Sequence, residues 1–392
     1  MLLRRCVGVA LMVSVLFATG CQGPAPEASV EQLRPQWRRL ALPAPPGTPG
    51  RLMVRDLAAC AGHWYVTGGV GTGSGETRPA AWHSADGQTW SALRVEPKSY
   101  YGLRNVLYAA ACRDGRVAVI GDKPGGAHGN PRVSTWQHRS DGSLVEVEAA
   151  SFELYGGPKA VNVARLAAGP SGWLITGNRS SGAAVWLSPD AGDFEIIEAV
   201  PGLATDAQGA TWASDAVATP TGWLLVGGML PAGGRIDRDP LGWTSPDGRN
   251  WQRDPAPATQ DYEEFQRVVL LGGTPVAVGL RGREFGAWRR GSNGWEPVGG
   301  FGGRAASGVP AVVALTVVGA DRLLAVASDG ASYGLWSSLD GGRAWRPVAA
   351  PVPMPVGAYQ DVSVVALDDR VLLSVDDGRE GMVWATRLGT GD

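Results

Sequence analysis

The stretches "AAWHSADGQTW" (residues 80–90), "LGWTSPDGRNW" (241–251) and "YGLWSSLDGGRAW" (333–345) repeat one pattern: a tryptophan, a serine, an aspartate-glycine pair and a second tryptophan. Extending the comparison along the chain, Trp82, Trp136, Trp186, Trp243, Trp288, Trp336 and Trp384 mark seven units, about 45 to 57 residues apart, a period that suits propeller blades. Ahead of each marker lies a short apolar segment entered through a turn, such as "HWYVTGG" from His63, "GWLLVGG" from Gly222 and "DRVLLSVDD" from Asp369. A further apolar stretch precedes each of these, and in most units another follows the marker, as in "WSALRVE" and "WRPVAAP". Four short strands per unit, seven times over, predict an all-β chain folded as a seven-bladed β-propeller.

Composition agrees. There are 57 glycines and 16 tryptophans, and no long amphipathic helical pattern, so short strands joined by tight turns are expected. The net charge is −2 and the basic residues are scattered, which gives no electrostatic footprint for nucleic acid.

The last unit runs through "GMVWATRLGTGD" with three strands and no fourth. Near the N-terminus, "PQWRRLALPAP" from Pro35 matches the fourth strands elsewhere, with Trp37 standing where Trp90, Trp251, Trp295 and Trp345 stand. The N-terminal strand is therefore expected to complete the seventh blade and leave no open sheet edge.

Ahead of that strand, "MLLRRCVGVALMVSVLFATGC" places Arg4 and Arg5 before an apolar run from Val7 to Phe17, then Ala18, Thr19 and Gly20 before Cys21. This reads as an export signal. The ending "ATGC" resembles a bacterial lipobox, which implies lipid attachment at Cys21; Ala18 departs from the more usual leucine. The expected division is a lipoprotein signal peptide over 1–20, a flexible tether over 21–35, the propeller over 36–388 and a tail over 389–392. Localisation would then be extracytoplasmic, held to the bacterial cell membrane by the lipid alone. In that compartment Cys60 and Cys112 are able to pair, and a disulfide stands beside the alternative of two buried thiols.

The segment "SSLDGGRAW" has Ser338, Asp340, Gly342 and Trp345 in the spacing S-x-D-x-G-x-x-W, which resembles the Asp-box, or BNR, repeat of sialidases and several other propellers. Ser84, Asp86 and Trp90, and likewise Ser245, Asp247 and Trp251, are similar but one residue shorter. Ser188 and Asp190 keep the start of the motif with Phe194 near the tryptophan place, and Asp141 sits in a degenerate copy. Five repeated carboxylates invite a catalytic reading. A hairpin suits them better, because aspartate accepts backbone N–H bonds within a turn and glycine supplies its positive φ.

Taking Trp64, Arg116, Trp173, Trp223, Pro275, Leu323 and Val371 as equivalent landmarks, the residues eight places earlier include Asp56, Arg165, Asp215 and Arg267 on the innermost strands. They form either a self-satisfied ion-pair network or an anion site in the channel. The histidines His63, His83, His128 and His138 lack ligand spacing, so no metal is expected, and no cofactor motif is present. Loops between blades carry aromatics beside charges, with Tyr100, Tyr101, Tyr155, Tyr262, Glu263 and Tyr359 as candidates for a binding face. The functional expectation is a non-catalytic binder of a protein or glycan at the cell surface. The alternative is a sialidase-like glycoside hydrolase, for which Arg165, Arg267, Tyr262, Glu263 and Glu264 offer a partial match.

Overall fold

The computed structural model describes residues 31–125, 130–303 and 308–389. The expected export signal, Cys21, most of the expected tether and residues 390–392 lie outside the described residues. The seven innermost strands are Arg51–Cys60, Val106–Arg113, Ala160–Gly169, Gly209–Thr219, Glu263–Leu271, Ala311–Val318 and Gln360–Leu367. Each contacts the next and the last contacts the first, so the blades close into a ring. Within a blade the strands follow one another outward in antiparallel order. This is a seven-bladed β-propeller.

Closure uses the N-terminal strand. Arg38–Leu40 pairs antiparallel with Gly381–Arg387, matching Arg38 with Ala385 and Leu40 with Val383. The Trp37 indole donates to the Ala349 carbonyl of the sixth blade at 2.8 Å. Pairing begins slightly earlier than the expected domain start, since Leu33 bridges Val348 in parallel.

The marker tryptophans explain the repeat. Trp82, Trp136, Trp186, Trp243 and Trp288 are fully buried on the third strands. Four of them donate an indole N–H to the loop entering their own blade: Trp82 to Pro43 O, Trp136 to Asn105 Oδ1, Trp186 to Leu154 O and Trp243 to Gly202 O. One side chain thus fills the blade interior and also ties down a loop, which a purely apolar residue would not do.

Two details differ from the sequence expectation. The fourth strand of the first blade is split: Ser91–Ala92 pairs within that blade, whereas Arg94–Glu96 crosses to pair in parallel with Ser143–Val147 of the second. Between them Leu93 is buried where the first and second blades pack, in a cluster with Tyr65, Val119, Trp136 and Leu144. The landmark register also slips in two blades. Arg113 pairs with Arg116 as Cys60 pairs with His63, and a longer turn separates Val318 from Arg322. The inner residues level with Asp56 are therefore Ala109, Arg165, Asp215, Arg267, Ala314 and Ser363.

Candidate functional site

The hairpins of the opening motif close the third strand onto the fourth. In each, one aspartate oxygen gathers the turn: Asp86 Oδ1 accepts from the Ser84 hydroxyl at 2.9 Å and from the Gln88 and Thr89 amides at 2.7 Å. Asp247 does the same with Ser245, Arg249 and Asn250, Asp340 with Ser338, Arg343 and Ala344, and Asp190 with Ser188 and Gly192. The backbone amides beside Asp86 and Asp247 hold these carboxyls well below the usual range. Asp141 is bonded instead by the residue after the turn, Ser143. Glycine is required here: Gly248 has φ +74°, and a Cβ would approach Leu187 of the preceding blade to 2.8 Å. Trp90, Trp251 and Trp345 follow, each 8% exposed and packed toward the preceding blade. The turn contacts account for why these carboxylates recur.

Polar side chains on the inner strands, and Asn178 on a second strand, link every pair of neighbouring blades. Asp56 accepts from the Ala110 amide at 2.9 Å and the Ser363 hydroxyl at 2.7 Å, so it ties the first blade to the second and the seventh. Tyr108 donates to Val163 O, Asn178 takes the Ala213 amide, Asp215 the Val268 amide, Gln266 the Val312 amide and Thr316 the Ala366 amide. The amides of Ala110, Ala213, Val268, Val312 and Ala366 are each taken by a side chain of the preceding blade, which satisfies a buried donor and ties the two blades together. Arg165 reaches Asp56 at 3.8 Å. Burial works against the Arg165 charge, but Asp56, Asp215 and Asp361 outweigh it and hold its pKa above the ordinary arginine value. Arg267 donates to the Val313 and Gln266 carbonyls; burial and then Arg165 push its pKa down to about 10.

Arg55 and Asp361 also belong to this group and were not singled out from the sequence. Burial pushes the Asp361 carboxyl up to about 7, against the pull of Arg55 at 3.9 Å and with added repulsion from Asp56. A carboxyl raised on folding keeps its proton after the unfolded chain has released it. Its contribution to stability is therefore fully present below pH 3.8 and is lost as pH rises toward 7. The stability of Asp361→Asn relative to the parent is expected to rise between pH 4 and pH 8 in denaturant titrations. The side chain is 38% exposed, so channel water screens it and the gain stays modest. A difference constant across that range would refute the assignment. His83 and His138 act in the opposite sense, since burial lowers both and their contribution is lost as pH falls.

Cys60 and Cys112 are joined by a disulfide with Cα atoms 5.6 Å apart, fastening the first blade to the second. The two stand one rung apart rather than level, as the register slip requires. His63 lies 2.8 Å from His83 through ring nitrogens, and His128 lies outside the described residues. Among the described residues no group of three or more histidine, cysteine, aspartate or glutamate side chains is placed to hold a metal ion.

The interblade loops hold the remaining candidates, and the structure separates them. Tyr155 and Glu263 do not belong to an exposed face. Tyr155 is 7% exposed because its ring packs on Trp186, and the Glu263 carboxylate is turned inward onto Arg281 and the Thr259 amide. Tyr262 is half-buried; its hydroxyl donates to Glu264 at 2.8 Å, and Arg238 donates to the same carboxylate oxygen. Burial, then Glu264, pushes the Tyr262 phenol up to about 12. Tyr100, Tyr101 and Tyr359 are exposed.

Around Tyr101 a pocket of about 300 Å³ opens at the second blade. Phe152, which is exposed, forms another wall, and Tyr155 lies at its base. Arg132 sits between the aromatic walls, with its guanidinium carbon 4.4 Å from the Phe152 ring centre and 5.3 Å from that of Tyr101. A second arginine, Arg104, lies over Tyr100 at 4.0 Å. Tyr100 and Tyr101 meet edge to face. The result is a row of Phe152, Arg132, Tyr101, Tyr100 and Arg104 in successive contact. Sequence reading missed Arg132 because it stands on a strand beside a glycine-rich loop, and only folding brings it to Phe152 from the next interblade segment.

No protein-family model and no curated protein sequence matches this chain. Solved structures do match its fold. A puromycin-hydrolysing peptidase of Mycobacterium tuberculosis superposes with a TM-score of 0.56 at 12% identity, over 91% of this chain and 55% of that one. The β-propeller domain of the Trilobed protease from Pyrococcus furiosus, described as having an open velcro topology, superposes at 0.50 with 9% identity, covering 86% of this chain and 95% of that domain. A Hadza microbial sialidase aligns at 0.46 with 12% identity, over 86% of this chain and 66% of that one. The chain spans 55% of the peptidase it matches, and at these identities the likeness defines the class of protein as a β-propeller and nothing narrower.

Proposed function

We propose that this is an exported, lipid-anchored β-propeller of the Asp-box type that binds a protein or cell-envelope carbohydrate through its interblade loops and performs no catalysis. The observation that carries the reading is the pocket of Tyr101, Arg132 and Phe152, where large apolar groups stay exposed although neighbouring aromatics such as Tyr155 are buried. Exposed aromatics grouped with arginine are the residue types that dominate recognition surfaces. The Asp-box assignment rests on the serine-aspartate hairpins, and the anchor on the sequence ending at Cys21.

The test is binding of the full chain to a glycan array and to purified envelope proteins, beside a variant carrying Tyr101→Ala and Phe152→Ala. The variant is expected to bind its ligand at least about tenfold more weakly while unfolding at the parent's temperature. Undiminished binding would overturn the reading. A clickable fatty acid fed to the host is expected to label the parent and not Cys21→Ser.

A sialidase-like hydrolase remains the second reading, favoured by the hydrogen bond between Tyr262 and Glu264. A phenol raised to about 12 is, however, poorly suited to act as a nucleophile near neutral pH. Release of fluorophore from a sialoside by the full chain would favour the hydrolase.

A further inference from the structure

We propose that the pocket at the second blade recognises an acidic sugar, with the ligand's carboxylate on Arg132 and its ring against the aromatic walls. The inference rests on the binding role proposed above and names the class of ligand for that site.

Among the described residues Arg132 has no hydrogen bond or ion pair to a protein group; its Nε is buried without a partner, and the residue, half-buried, lines the pocket. Its guanidinium nevertheless lies over the Phe152 and Tyr101 rings, which position it. Contact through the ring faces leaves the in-plane N–H groups unused, and their fork matches the two oxygens of a carboxylate. The nearest buried acid does not neutralise it. Glu146 lines the same pocket, but its oxygens accept from the Lys98 and Ser99 amides and from the Ser99 and Ser134 hydroxyls, within 2.7 to 2.9 Å. Glu148, at the rim, is exposed and makes no ion pair with Arg132 among the described residues. The pocket thus presents a pre-positioned cation that the protein leaves unmatched.

The neighbouring surfaces favour a sugar over a peptide. An extended peptide would be held most simply by pairing with a free strand edge. At the second blade the outermost strand is Arg94–Glu96, only three residues long and paired with Ser143–Val145, so the free edge it offers is short. Exposed aromatic rings and a cavity of about 300 Å³ suit one or two sugar rings.

The experiment is calorimetric titration of the full chain with a galacturonate tetramer and with its methyl ester, which has the same rings without the charge. The acid is expected to bind about tenfold or more tightly than the ester, as a charge-assisted pair implies. Arg132→Gln should remove that difference, and Arg132→Lys should restore part of it. Equal affinity for acid and ester, or a preference that survives Arg132→Gln, would overturn the inference. A glutamate-rich peptide that binds in an Arg132-dependent way, with no saccharide binding, would overturn the choice of a sugar. If neither probe binds but another ligand does so through Tyr101 and Phe152, this inference falls and the binding role stands.

Discussion

A chain lacking residues 34–43 is expected to yield no stable monomer. The segment supplies the fourth strand of the seventh blade, and its removal strips the pairing from Gly381–Arg387, which carries the buried Val383 and Ala385. Buried Leu40 is lost with it, as are the Trp37 bond to Ala349 and the bond from the Thr386 hydroxyl to the Gln36 carbonyl. The exposed edge would then offer unpaired amides and carbonyls beside apolar side chains, a template for association between copies. Loss of the ladder, a buried leucine and the indole contact together amounts to more than about 5 kcal/mol, comparable to the whole stability of many domains. Size-exclusion chromatography is expected to show aggregate, and a synthetic peptide of residues 34–43 added during refolding should recover monomer. The outcome is not dictated by fold class, since the Pyrococcus propeller domain is described as having an open velcro topology. A monomeric truncation with unchanged melting temperature would show that the ring tolerates an open seventh blade.

The same strand shows how much of this molecule was legible in its sequence. Trp37 could be placed because burial against a neighbouring blade demands one large side chain at a fixed point of each repeat, and that demand leaves a visible ruler. The hairpin aspartates were readable for a similar reason: their partners lie within four residues, so the chemistry is local. Register was less legible. An arginine at the start of a second strand looks like its aligned counterpart, yet the turn at Asp114 and Gly115 sets Arg116 level with His63 rather than Trp64. The exchange of Arg94–Glu96 between blades was hidden because Leu93 satisfies the same apolar pattern in either blade. The pocket was only half visible. Tyr101 stood out in its loop, while Arg132 became meaningful only once folding set it against Phe152 and left its N–H groups unclaimed. Tyr155 and Glu263 were misplaced on the surface because a loop aromatic or acid reads alike whether it covers the core or faces water.

Asp56→Ala is expected to cost about 3 to 5 kcal/mol, the largest loss from a single substitution proposed for this chain. Asp56 is 1% exposed and serves three neighbours: the Ala110 amide, the Ser363 hydroxyl and, at a longer distance, the Arg165 guanidinium. Alanine would leave a buried amide with no acceptor and an arginine, partly exposed, with one fewer counter-charge. The loss would be felt at two blade junctions at once, since the carboxylate spans the seventh blade to the second through the first. Asp56→Asn keeps one acceptor oxygen of the same shape but lacks the charge. It is expected to lose roughly half as much, which separates the hydrogen-bond part from the ionic part. Urea unfolding of the parent and both variants gives the comparison, and Asp56→Ala combined with Arg165→Met tests the coupling. If the aspartate mainly neutralises Arg165, the double variant regains much of the stability lost by Asp56→Ala alone; if it mainly holds the Ala110 amide, the second substitution recovers little. A loss below about 1 kcal/mol for Asp56→Ala would mean that water entering the channel replaces the carboxylate, and the inner ring would then owe its cohesion to strand packing rather than to this residue.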